Sequence, residues 1–373
     1  SGSNDDGLYY NNKLHFQGSG SLTVACVDFY KGTSAQSTDA GDKVEGYFSN
    51  YWCTAIGGND GGHGNTIGIV IDSGTIFAGT TQAENCTAIG GGGNDKGYVT
   101  INGGSVTAVV TSTGTAIGGG IGYHSTGGEG NVTIKGGNIY AYNHANEWEI
   151  PSAAIGSGGS SVRYGGKGTV KILGGHVYAQ SALGTAIGGG SSNTEEGGDA
   201  EIEIGGNSYV IARSISAVDK KTGNVYPPGN GIGGGTGGYG YAYKITDEND
   251  ERTIPSYGGS ATVTISGNPT IRTGSVGGGK ANNMGGKIGN ATITVSGGDI
   301  SAQFVMAGGA DPSKPTVFTM SGGTIRNSDV KSEEFYHSSD NGGAVYMEDG
   351  TFTMTGGEMI NCLAENGGDV YIK

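Results

Sequence analysis

Apolar and polar residues alternate in short stretches along this chain, and the alternation keeps being interrupted by a pair of small residues. In 98–108, Val99, Ile101, Val106 and Ala108 are apolar at spacing two, with Gly103 and Gly104 between the two halves. Spacing two is strand spacing, because successive side chains of a strand point to opposite faces. The unit recurs at 131–141, 169–179, 291–302, 316–327 and 351–361, and in looser form at 13–24, 67–78, 200–212 and 261–272. The corners at 74, 104, 137, 175, 206, 268, 298, 323 and 357 lie mostly 25 to 38 residues apart. A repeat of that length predicts a solenoid, and its internal period predicts strands.

A third short motif separates one unit from the next. Thr54-Ala-Ile-Gly-Gly58 returns at 87–91, 115–119, 153–156 and 185–189, then loosely at 231–234 and 275–278. Each coil therefore reads as strand, glycine corner, strand, loop, Thr-Ala-Ile-Gly strand, loop. The expected fold is an all-β, right-handed parallel β-helix of about ten coils, three strands to a coil, with long loops on one edge. Ten coils at ~4.8 Å make a rod about 48 Å long. Residues 1–12 read as an expression-tag remnant, without the basic and apolar regions of a signal peptide, and an N-terminal cap, and 13–373 as one domain cut from a longer chain whose next module covers the last strand. Eighty glycines with seven prolines do not make a collagen, since no three-residue period runs through them.

In the Thr-Ala-Ile-Gly strands, Ile56, Ile89, Ile117, Ile155 and Ile187 are expected to point inward. Ala55, Gly57, Ala88, Gly90, Ala116, Gly118, Ala154, Gly156, Ala186 and Gly188 then form an outer floor almost bare of side chains, with loops as walls. The competing explanation is that these small residues let the loops fold down onto the sheet. The walls hold most aromatic and charged candidates. Trp148 lies between Glu147 and Glu149, beside Asn143 and His144; Tyr123, His124, Tyr164, Tyr226 and Tyr239 occupy other loops. An exposed aromatic ring flanked by hydrogen-bonding groups suits a sugar, whose apolar face stacks while its hydroxyls find acceptors.

A formal charge of −14 repels nucleic acid and anionic membranes, and no apolar run is long enough to span a bilayer. A glycan or polysaccharide is the expected partner, together with neighbouring modules of a longer chain. A glycoside hydrolase or polysaccharide lyase is the alternative, with Glu147, Glu149, Asp219, Glu195 and Glu196 as the carboxylates from which a catalytic pair would be drawn. Asp60 and Asp95, in Gly-Asn-Asp turns, offer oxygen ligands to Ca2+, although turn formation accounts for them better. Cys53 and Cys86 each precede a Thr-Ala-Ile-Gly strand and should be neighbours in successive coils, as a disulfide or as two buried thiols. Cys26 and Cys362 belong to opposite ends.

The run 350–361, Gly-Thr-Phe-Thr-Met-Thr-Gly-Gly-Glu-Met-Ile-Asn, followed by Glu365-Asn-Gly-Gly-Asp-Val-Tyr371, resembles repeat units of large secreted or wall-anchored proteins of Gram-positive bacteria. The Val-Thr-Ile-x-Gly-Gly and Ala-Ile-Gly-Gly-Gly units over 53–309 are similar to the same group. That resemblance implies the pectate-lyase-like class of right-handed β-helix and a secreted or wall-anchored location. It implies no particular activity, because the matching residues are those that stack coils.

Overall fold

The computed structural model describes residues 13–27, 54–58, 68–81, 86–122, 124–144, 150–218, 225–226, 228–238, 256–281, 286–306, 313–327, 342–362 and 364–373. Strands of this set form one large parallel sheet wound into coils, with a small antiparallel pair, Ala217–Val218 and Val225–Tyr226, beside it. No helix occurs among the described residues.

Three ladders run the length of the parallel β-helix. The first begins Lys13–Phe16, Gly68–Ile71, Gly97–Ile101, Gly130–Ile134, Gly168–Ile172, Ala200–Ile204 and Ala261–Ile265. It continues through Ala291–Met306, Val317–Arg326 and Thr351–Ile360. The second begins Ser21–Val27, Thr75–Thr81, Ser105–Val110, Asn138–Asn143, His176–Ala182, Tyr209–Ile215 and Thr270–Gly277. It then runs into the later parts of the same three long strands. The third contains the Thr-Ala-Ile-Gly strands and their looser copies, from Thr54–Gly58 to Val370–Ile372. Each ladder has ten rungs, so the expected ten coils of three strands are present.

Register follows the alternation in the sequence. Val99, Val132, Val170, Ile202, Val263 and Ile293 form one inward column, and Ile101, Ile134, Ile172, Ile204, Ile265 and Val295 the next. Every one of them is essentially closed to solvent. A one-residue slip would turn each column outward, so stacking like on like specifies the register. Towards the C-terminal end larger side chains take over: Phe318 packs edge-on against Phe304 and face-to-face with Phe352.

Candidate functional site

The third ladder is not an open floor. Ala88, Ala116, Ala154 and Ala186 are fully buried and join the same core as the isoleucines beside them. Gly90, Gly118, Gly156 and Gly188 are buried too. The expected groove over this face is therefore absent; the reason is what the following loops do. Each outgoing limb, such as 119–122, turns and comes back as a returning limb, such as 127–130, and the limbs of successive coils interleave.

The interleaving is held by a single file of peptide groups. Gly120 donates to the Asp95 carbonyl at 3.0 Å, Gly128 to Gly120 at 2.6 Å, Gly158 to Gly128 at 3.1 Å, and Gly166 to Gly158 at 2.9 Å. The chain of bonds goes on through Gly190, Gly198, Gly235, Gly259, Gly279 and Gly289. Limbs this close leave no room for a β-carbon: one on Gly158 would run into the Gly120 carbonyl, and one on Gly166 into that of Gly128. Gly118, with φ +140°, needs glycine for conformation as well as space. The loops thus form a thin glycine fin along one edge of the rod.

Side chains at the outer part of the fin make its surface. Arg163 reaches Glu195 at 3.6 Å, while Glu196 and His124 are exposed and Tyr164 is 49% exposed. A cleft of about 620 Å³ lies against the returning limbs, with Gly127, Gly128, Gly165, Gly197 and Gly198 as floor. Lys96, Glu129, Tyr164, Lys167, Glu196, Asp199 and Lys314 also line it, Lys96 paired with Glu129 at 3.2 Å and Lys314 with Asp199 at 2.9 Å. Asp95 is buried at 4% exposure, and its backbone accepts from Gly120 and donates to Gly92. That is a turn role, and among the described residues no three His, Cys, Asp or Glu converge as metal ligands. The other calcium candidate, Asp60, lies outside the described residues, as do Glu147, Trp148, Glu149, Asp219, Tyr123, Tyr239 and the side chain of Tyr226.

Asn143 is not available to a ligand. It is wholly buried, and its side-chain amide donates to the carbonyls of Gly114 at 2.6 Å and Ser152 at 3.1 Å, pinning the loop that follows. Ser181, stacked on it one coil later, donates to the same Ser152 carbonyl at 2.8 Å. His144, the next residue, is exposed, and partial burial pulls its pKa below the ordinary histidine value.

The outer face of the second ladder, by contrast, is aromatic. Register places Phe77, Thr107, Tyr140, Tyr178 and Ile211 in one outward row. Thr75, Ser105, Asn138, His176 and Tyr209 form the row on one side of it, and Gly79, Val109, Tyr142, Gln180 and Arg213 the row on the other. Phe77, Tyr140 and Tyr209 are 41%, 43% and 39% exposed. Tyr142 lies parallel to His144 at 5.8 Å and tilted against Tyr178 at 5.4 Å, and His176 meets Tyr209 at 5.6 Å. Desolvation, then the neighbouring Tyr178 and Tyr140, push the Tyr142 hydroxyl above its usual pKa. Large exposed aromatic patches on a soluble protein mark contact surfaces.

Compared with known proteins, the chain matches no family model, no curated protein and no solved structure. The site must be read from its own chemistry. The aromatic face is not evident in the sequence pattern because its residues occupy the outward positions of regular strands, one in each of several separate units. The signal was nonetheless present: Tyr140 and Tyr178 hold the same polar position of successive units, where Thr107 stands one coil earlier.

One half-buried cation, Lys280, lies beside the glycine file. Lys280 follows Gly279, donates to the Pro228 carbonyl at 3.1 Å, and has its pKa pulled down to about 8 by desolvation. The unfolded chain holds this proton up to the ordinary lysine value, so between pH 8 and 10.5 it binds more protons than the folded chain. Stability of the wild type relative to Lys280→Met should therefore rise over that window, by about 2 kcal/mol between pH 7 and pH 10. Urea midpoints of the two proteins at both pH values check this; parallel profiles would show that Lys280 is solvated.

Proposed function

We propose that this chain is a glycan-binding or adhesive module of a secreted or wall-anchored protein, and that the second-ladder face takes the glycan. The observation that carries the reading is the set of registered, half-open rings Phe77, Tyr140, Tyr142, Tyr178 and Tyr209, interspersed with hydrogen-bonding Asn138, His176 and Gln180. Rings present the flat apolar surface that a pyranose stacks on, and the polar neighbours serve its hydroxyls. The platform is rigid, because each ring stands on a strand whose other face is locked in the core. Trp148 follows His144 closely in the sequence.

Cys86 is disulfide-bonded, and such bonds persist in oxidising compartments, which supports the extracellular assignment. Resemblance of the repeats to Gram-positive surface proteins points the same way.

Binding of the purified protein to a glycan array, followed by calorimetric titration of the hits, tests the proposal. Tyr140→Ala and Tyr178→Ala should each weaken binding about tenfold, the equivalent of about 1 to 3 kcal/mol of stacking and apolar contact. Their thermal midpoints should stay near that of the wild type, since both rings stand outside the core. Binding unchanged in both variants would remove the platform from the site. Reducing-end release from a bound glycan would turn the module into an enzyme.

A further inference from the structure

The polar groups of the aromatic face are unusual for so acidic a chain. Lys and Arg number 20 against 34 Asp and Glu. Yet the five coils from Phe77 to Arg213 place no carboxylate in any of the three outward rows: Thr75, Phe77 and Gly79; Ser105, Thr107 and Val109; Asn138, Tyr140 and Tyr142; His176, Tyr178 and Gln180; Tyr209, Ile211 and Arg213. In the coils beyond, carboxylates return to the same rows as Asp299 and Glu358.

Arg213 stands apart from the other described arginines in the same way. Arg163 pairs with Glu195, Arg272 with Asp299 at 3.3 Å, and Arg326 with Asp299 at 2.8 Å. Arg213 is exposed and pairs with no carboxylate among the described residues; its guanidinium lies over the Tyr178 ring, 5.9 Å from the centroid. A guanidinium held against an aromatic face keeps its charge, and its in-plane N–H groups remain directed outward for a planar anion. Opposite charges on this platform would otherwise be simple to supply from a chain so rich in Asp and Glu.

We infer that Arg213 is the anion seat of the platform, and that the glycan bound there carries a carboxylate or sulfate. The sugar rings lie along the exposed Tyr140 and its neighbours, and the acidic group reaches Arg213, which Tyr178 supports from below. A fork-shaped pairing makes the contact geometric as well as electrostatic, so lysine replaces it only in part. The inference rests on the glycan reading above and adds the chemical class of the ligand and the residue that selects it.

Matched probes test it: glucuronate-bearing xylan and hyaluronan oligosaccharides, each beside its carboxyl-reduced form, and sulfated galactan oligosaccharides beside their desulfated, uncharged form. Wild type should bind at least one acidic member ten times or more tighter than its neutral partner, and the ratio should fall with added salt. Arg213→Ala should bring that ratio close to one while leaving the neutral form's affinity and the thermal midpoint in place, and Arg213→Lys should recover part of it. Equal binding of both members of every pair, or a preference that survives in Arg213→Ala, overturns the inference and leaves the glycan reading standing. Failure to bind either member of any pair, with no hit on the array, overturns both.

Discussion

Gly190→Ala is expected to destabilise the protein by about 3 kcal/mol or more, a large fraction of the roughly 5–15 kcal/mol that ordinarily holds a domain folded. A β-carbon at Gly190 would strike the Gly158 carbonyl group and the Gly159 nitrogen, all backbone atoms of the limb one coil earlier. None of them can rotate away as a side-chain end would. Gly190 also donates to the Gly166 carbonyl and to Ser157 Oγ, and its own carbonyl accepts from Gly198 at 2.7 Å. Displacing the limb to admit one methyl group therefore breaks hydrogen bonds on both sides of a buried column. Overpacking alone costs about 1–3 kcal/mol, and the lost bonds bring the total to about 3 kcal/mol or more. Gly20→Ala is the control: nothing lies within 4 Å of a β-carbon there, and its effect should stay within about 0.5 kcal/mol. Urea denaturation followed by circular dichroism measures both, and a Gly190→Ala midpoint equal to that of Gly20→Ala would show that the fin can open without harm to the rod.

Loss of the disulfide at Cys86 should be comparably severe. Cys362 is a free, buried thiol at the other end of the rod, and burial pushes its pKa up to about 11. Cys53 and the side chain of Cys26 lie outside the described residues. Register pairs Thr54 with Thr87, the residues directly after Cys53 and Cys86, and equivalent positions of adjacent coils stand at the spacing a disulfide accepts. Peptide mapping without reduction should thus recover a Cys53–Cys86 link. Cys86→Ser opens a loop of a little over thirty residues and should lower stability by about 3–4 kcal/mol on the chain-entropy account. A Cys26–Cys86 peptide in the map would contradict the pairing.

Ten coils, three strands each, and the inward columns through Val99 and Ile101 were legible in the sequence. The causes are local: alternation decides which side of a strand is apolar, and stacking identical residues makes the correct register the one in which every column stays dry. The Thr-Ala-Ile-Gly segments show where such local reasoning stops. Alternation assigned Ala116 and Gly118 to an outer face, yet both are buried, because the outgoing and returning limbs of neighbouring coils close over them. Nothing inside one repeat shows that Gly120 will accept from Gly128 and that Gly128 will accept from Gly158 of the next coil.

Asn143 illustrates the same limit. Its place in a polar loop beside Trp148 suited a ligand contact, and only the approach of Gly114 and Ser152 from two other segments made it a buried clamp. Tyr140, Tyr178 and Arg213 are ordinary outward positions of separate units when read in order. Winding the chain sets them side by side at coil spacing, and that juxtaposition turns three scattered residues into one surface. The sequence by itself determined the coil and its core, since both depend on periodicity within a repeat. Tertiary structure alone decided which faces stay open, because that depends on how loops from different coils pack against one another.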